Sequence, residues 1–385
     1  MSGTGKANKK RKIKPGFSVA FKIILVVFFA VTLIFFSARM LGGITLTSVV
    51  ENIRIGISGL GAGDGYPFEI SGSAVKKAYA DGSKLFVFSD DKTLYLSSSA
   101  KELSKEPVEY GLPAIDYNNG KAIVYDRDSG KYRIQNTSQI VEKYELKNTV
   151  SCAAIGKKGN FAVSTVNSNN QTVLNVFSKS NKTEFTWNFA GQLVTSISLS
   201  DDGKFACVGI IEANNAQSNS KVYVFKFDSE DYISCFDYPG NVVVDVNYVK
   251  GHDIEVITDK KRFYIEDNST QSSEFSFDSN ILHDICQDDK YTAISYLKYG
   301  SDSNVVLNMF KGDKLLYNFD LNSSAKSISC QGRYLGVLTD SSVIVYNQKG
   351  EKIKEISVDV SATDIVITNK KVYIITPIEI ICESF

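Results

Sequence analysis

Histidine is almost missing from this chain, which has only His252 and His283 among its 385 residues. No nucleophile stands beside either in sequence, so a Ser-His-Asp triad has little to build on. The six cysteines (Cys152, Cys207, Cys235, Cys286, Cys330 and Cys382) lie far apart, with no CxxC pair, and only Cys286 has a histidine, His283, close in sequence. Structural zinc, whose ligands come in close pairs, is thereby excluded. A disulfide framework serves small domains that cannot bury a core, and this chain is large. Its cysteines read instead as small apolar residues inside strands. Charge imbalance is missing too. The 43 basic residues meet 43 acidic ones, which leaves no basic footprint for nucleic acid. No segment alternates acidic residues in the DxDxDG manner that a calcium loop requires. From these absences no catalytic residue, cofactor or metal site is expected. Proline is scarce as well, at six residues, so extended segments run almost uninterrupted.

What recurs is a turn. Asp81-Gly82-Ser83-Lys84 precedes LFVF, Asn119-Gly120-Lys121 precedes AIVY, Lys158-Gly159-Asn160 precedes FAVS, and Asp202-Gly203-Lys204 precedes FACVG. Later copies are Lys250-Gly251-His252-Asp253 before IEVIT, Asp288-Asp289-Lys290 before YTAIS, Gln331-Gly332-Arg333 before YLGVL, and Asn369-Lys370-Lys371 before VYIIT. A spacing of roughly 40 residues is that of propeller blades, not of short solenoid repeats.

Within each copy the pattern has period two, the signature of strands. Residues 149–191 divide into TVSCAAIG, FAVSTV, TVLNVFS and TEFTWNF, and the same four-strand reading starts near 74, 112, 195, 243, 282 and 326. The eighth copy ends one strand short at Phe385, and YPFEIS at 66–71 can supply the missing strand. Pairing there would cover an exposed edge, and Pro67 suits an outermost strand. The expected fold is therefore all-β: an eight-bladed β-propeller closed by an N-terminal strand and preceded by one transmembrane helix. Seven blades is the alternative, because the boundaries across 108–148 and 241–279 are soft.

The N-terminus carries Lys6, Lys9, Lys10, Arg11, Lys12 and Lys14 with no acid, followed by the uncharged run IILVVFFAVTLIFFSA at 23–38. Flanking residues extend this run toward the length of a span, with Lys22 and Arg39 able to snorkel. Positive charge before it places the N-terminus in the cytoplasm. Small residues at −3 and −1 of a cleavage site are wanting, so a retained anchor is expected instead of a cleaved leader. Gly59-Leu60-Gly61-Ala62-Gly63-Asp64-Gly65 lacks the spacing and the following helix of a dinucleotide fingerprint and reads as a flexible tether. The chain thus divides into a basic cytoplasmic tail (1–16), a signal anchor (17–41), a stalk with a glycine-rich linker (42–65) and a propeller (66–385).

Ser198-Leu199-Ser200-Asp201-Asp202-Gly203-Lys204 resembles the SxDGK-type hairpin turn of YVTN-like, TolB-like and quinoprotein-like propellers. The blades lack a GH…WD signature, so the likeness to WD40 repeats is one of architecture. With Trp187 as the sole tryptophan, the recurrent Trp of pyrroloquinoline-quinone enzymes is missing. The whole chain resembles an uncharacterised family of bacterial membrane-anchored propellers, through its anchor and through Gly63, Gly65, Tyr66, Pro67 and Phe68. That resemblance implies the fold and a membrane location, and no active residue.

Function on all-β scaffolds concentrates in loops. The loops joining second and third strands share a face with those between blades, and the sequence makes them long at Asn167–Gln171, Glu212–Ser220 and Lys298–Asn304. Arg127, Asp128, Lys260, Arg262 and Tyr299 are the expected ligand contacts on that face. The sequence supports a non-catalytic, extracytoplasmic platform for an envelope protein or glycan, attached to the membrane by one span, with no nucleic-acid partner. The alternatives are a cell-surface polymer hydrolase or lyase using loop carboxylates, and a single-span ligand sensor.

Overall fold

Left-handed backbone marks the recurring turns. Gly82, Gly120, Gly159, Gly203, Gly251 and Gly332 take φ between 55° and 83°, and Lys370 takes φ 65° in the last copy. Glycine has no Cβ to clash in that region, which is why it dominates there. The computed structural model describes residues 63–385 apart from 71, 215–216, 278–279, 289, 299, 301–302 and 369. The expected tail, the anchor and the stalk as far as residue 62 lie outside the described residues. Among the described residues no helix is long and apolar enough to cross a membrane.

Each turn joins the first two strands of a four-stranded antiparallel sheet, and eight such sheets follow one another along the described chain. Seven use strands consecutive in sequence. The eighth holds Asp364–Thr368, Lys371–Ile375 and Glu379–Ser384, and its outermost strand is Phe68–Glu69, paired as Phe68↔Ile380 and Glu69↔Glu379. The eight-blade expectation and the closing strand are both present, although the ladder is two residues long where six were expected. Ile70 N–H extends it by donating to Ile378 O at 2.8 Å. Blade three matches the sequence reading closely, with strands at Thr149–Ile155, Phe161–Val166, Thr172–Phe177 and Thr183–Phe189.

The core is divided among the joints between blades. One cluster joins Phe86 and Phe88 of blade one to Ala122 and Val124 of blade two, and another joins Leu338 and Val343 of blade seven to Ile365 and Ile367 of blade eight. Leu85 and Val87 of blade one pack with Val366 and Tyr373 of blade eight. Tyr373 Oη donates to Ser83 O at 3.1 Å across the same joint, which closes the ring. Distributing apolar burial this way lets a chain of this length fold around an axis without one oversized core.

One expected loop is a strand. Glu212–Ser220 is the tip of a long hairpin, formed by Phe205–Asn214 and Gln217–Lys226 with partners as far out as Asn214↔Gln217. The Asn-rich composition masks a polar ladder here. Glu212 is held by Gln192 at 2.8 Å and by Lys221 at 3.2 Å.

The central channel and its mouth as candidate functional site

In each blade the innermost strand runs along the axis from the connection between blades to the recurring turn. These strands are Val75–Asp81, Pro113–Asn118, Thr149–Ile155, Gln192–Leu199, Val243–Lys250, Ile281–Gln287, Ser327–Gln331 and Asp364–Thr368. Their register defines an upper tier at equivalent positions. Lys77, Asp245, Asp284 and Asp364 occupy it in blades one, five, six and eight, opposite Phe88, Ile257, Ser295 and Ile375. Ala114, Cys152, Ser196 and Ser327 occupy it in the other four. In five blades the register slips just ahead of this tier, as between Val243 and Asp245 and between Leu282 and Asp284. Such bulges re-aim the side chains that follow. Two residues further down, Asp116, Ser198, Asn247, Cys286 and Ser329 belong to a lower tier.

Many tier side chains bind the ring to itself. Asp116 Oδ2 accepts from Ile155 N–H at 2.7 Å, Ser198 Oγ from Tyr248 N–H at 3.1 Å, and Ser329 Oγ from Ile367 N–H at 2.9 Å. Above them, Ser196 Oγ accepts from Val246 N–H at 3.2 Å and Asp284 Oδ2 from Ile328 N–H at 2.9 Å. Each acceptor takes the first amide after the equivalent residue of the next blade. The inner strands have no ladder partner on the axis side, so this stitching supplies the bonds they would otherwise lack.

The strands enclose a cavity of about 950 Å³ whose wall includes Lys77, Asp116, Asp245, Asp284 and Asp364. At the two tiers four carboxylates stand with one ammonium, Lys77, which lies over the Tyr79 ring at 5.4 Å, and Lys76, Asp288 and Lys290 line the wall beyond them. Burial pushes the Asp245 carboxyl up to about 6; the Ser196 hydroxyl opposes the shift, Glu255 adds to it, and Lys77 opposes it. Burial likewise raises Asp116, Asp284 and Asp364, in each case against hydrogen bonds and the Lys77 charge. Asp284 has both oxygens engaged, by Ile285 N–H and Ile328 N–H. Among the described residues Asp245 uses only Oδ1, for the Ser196 hydroxyl, and Asp364 uses only Oδ1, for the Ser327 hydroxyl and Ile365 N–H.

The channel wall reaches the recurring turns at Asn119, Lys290 and Gly332; the other face of the ring carries the channel's upper mouth, the connections between blades and the loops between second and third strands. Twelve large apolar residues of the described chain are well exposed. Six of them, Leu112, Leu193, Val244, Ile281, Val360 and Ile378, lie on this face, with exposures from 44% to 69%. The other six are on outermost strands, and the opposite turn face has none. A cleft of about 440 Å³ between blades five and six runs past Val244, Asp259, Ile281 and His283 to Asp284. Exposed apolar groups gathered at one place mark binding surfaces more often than scattered ones do.

The expected contact residues separate. Arg127 and Asp128 are exposed on the mouth face, and Arg127 N–H donates to the carbonyl of the exposed Leu112 at 3.0 Å. Lys260 is exposed beside Asp259, at the edge of the cleft. Tyr299 lies outside the described residues. Arg262 is 2% exposed. Its Nε donates to the fully buried Glu255 at 2.5 Å, its Nη2 donates to Gly312 O at 2.6 Å, and its guanidinium covers the Phe310 ring at 4.1 Å. Glu255 also accepts from Thr292 and Gln287, at 2.6 and 2.9 Å. This network joins blade five to blade six and leaves Arg262 no exposed surface for a ligand.

The histidines are apart. His252 belongs to a recurring turn on the opposite face, with Asp202 at 3.3 Å and Asp267 at 3.4 Å. His283 is a bulge residue near the mouth, bonded to Ala325 O at 2.6 Å. All six cysteines lie in strands and are free thiols, with Cys207 and Cys330 buried. Sequence reasoning missed the channel acids. The available signal was an acid recurring in the first strand of four repeats, early at Asp245, Asp284 and Asp364 and two residues further on at Asp116.

The profile of a family described as "Family of unknown function (DUF5711)" matches residues 65–381. Among solved structures, BamB from Moraxella catarrhalis is 13% identical with a TM-score of 0.52, the match covering 83% of this chain and 100% of that one. The C-terminal WD40 domain of Sif2 is 10% identical with a TM-score of 0.58, covering 83% of this chain and 99% of that one. A structure described as the eukaryotic initiation factor is 13% identical with a TM-score of 0.50, covering 80% of this chain and 82% of that one. At these identities the likeness is one of fold. No curated protein matches the chain.

Proposed function

The chain belongs to the family of unknown function DUF5711, and from that premise we propose that it is a membrane-tethered, extracytoplasmic binding platform. In this reading the mouth face engages an envelope protein or glycan, and no reaction is catalysed. The observation that carries it is the gathering of exposed apolar residues on that one face. A closed ring suits the role, because rigid scaffolding lowers the ordering cost of binding. The basic N-terminus and apolar run argue for the tether and for the side of the membrane on which the propeller stands.

The test is a rim variant. Val244→Ser with Ile281→Ser, in the full chain in its native membrane, is expected to lose the chemical crosslink to its partner or glycan, while Leu315→Ser on an outermost strand keeps it. Equal crosslinking in both variants would count against the mouth face. The channel carboxylates favour a second reading, a polymer hydrolase or lyase. A measured turnover abolished by one Asp→Asn change would favour that reading over the platform.

A further inference from the structure

We propose that the channel mouth is a socket for a lysine or arginine of a partner protein, presented on a segment whose neighbouring apolar side chains cover the rim at Val244 and Ile281. The inference deepens the platform reading and rests on it. Polarity changes with depth at this place. Val244 and Ile281 are exposed at the top of the blade five and blade six inner strands. The cleft they line descends to Asp284, and Asp245 follows Val244 directly on its strand. A segment entering here meets apolar surface first and carboxylate second.

Two of the carboxylates have spare capacity. Among the described residues Asp245 Oδ2 and Asp364 Oδ2 have no hydrogen-bond partner, while their Oδ1 atoms are held by the ring. That fixes each carboxylate in place with one oxygen available to accept. A cation seated beside either would form charge-assisted bonds with a group that is already oriented. Of the lysines on the wall, Lys76 and Lys77 stand on blade one and Lys290 at the blade six turn, which leaves the upper tier of blades five, six and eight in excess of negative charge. Burial raises Asp116, Asp245, Asp284 and Asp364, so ionising them is costly, and an entering cation would relieve that cost. An anionic polymer would meet the same charges unfavourably, which is why a basic protein segment is the occupant.

The full chain in detergent is titrated with three short amidated peptides: one with a single lysine between valine pairs, and the same peptide with glutamine or glutamate in place of lysine. Lysine is expected to bind roughly tenfold or more tightly than glutamine, and glutamate not at all. Asp245→Asn with Asp364→Asn should remove the preference for lysine without abolishing the apolar contribution, and Val244→Ser with Ile281→Ser should weaken lysine and glutamine peptides alike. Equal affinity for lysine and glutamine peptides that is still lost in the rim variant would overturn the socket and leave the platform standing. Binding of polygalacturonate that depends on Lys77, or no binding of any peptide, would also overturn the socket. Absence of any partner crosslink from the rim in native membranes is a different failure, that of the platform itself.

Discussion

At the residue scale the strongest determinants are buried charges. Removing one member of a buried pair strands the other, and typically costs about 3–5 kcal/mol. Glu255→Gln should therefore destabilise by about that amount, whereas Glu255→Met with Arg262→Met should lie near neutral; urea unfolding of the three proteins checks both. Asp245 behaves differently. Its folded-state pKa is raised to about 6 from an ordinary carboxylate value, so the folded state binds its proton more tightly than the unfolded chain does. Stability from this group is full below the ordinary value and is lost as pH rises through about 6. Asp245→Asn should thus match the wild type at pH 4 and exceed it at pH 8 by about 3 kcal/mol, at 1.36 kcal/mol per unit. The charged groups acting on it are Glu255, Lys77 and Asp116, with Asp284 and Asp364 on the same channel wall, and both proteins keep them all. Residue roles were the least legible part of the sequence. Asp259 to Arg262 reads as a solvated charged turn, and Lys260 fits that reading. Arg262 does not, because its partner Glu255 stands across the hairpin, where no local pattern announces it.

At the element scale, blade contacts are set by a few close approaches. A Cβ on Gly209 would stand 2.7 Å from Val243 Cγ1 and 3.3 Å from Thr195 Oγ1, both stiff β-branched side chains. One on Gly336 would stand 2.6 Å from Ile367 Cδ1, 3.0 Å from Ile367 Cγ1 and 3.2 Å from Ile365 Cδ1, both side chains being buried in the joint between blades seven and eight. Gly209→Ala and Gly336→Ala are therefore each expected to cost about 1–3 kcal/mol, as measured by thermal unfolding. The strands themselves were legible, because alternation and left-handed turns are local properties. The closing strand was legible too, since the eighth repeat lacked a member and Pro67 suited an edge. The blade four hairpin was not. Its polar sequence resembles a loop, and only the Glu212 contacts with Gln192 and Lys221 reveal a ladder.

At the scale of the whole molecule, the period in the sequence implied the ring and said little about its axis. A channel assembles one side chain per blade from positions some 40 residues apart, so its charge emerges only when the blades close. The same holds for the apolar rim, drawn from blades two, four, five, six and eight. The central claim is that this mouth face, and not the opposite turn face, meets the partner. A photocrosslinking residue placed in turn at Leu112, Leu193, Val244, Ile281 and Val360, and at exposed turn-face positions such as Lys250 and Arg333, tests it directly in native membranes. The account predicts one discrete adduct that forms from the mouth positions and is absent from the turn positions. Adducts confined to the turn face, or distributed equally between the two faces, would contradict it.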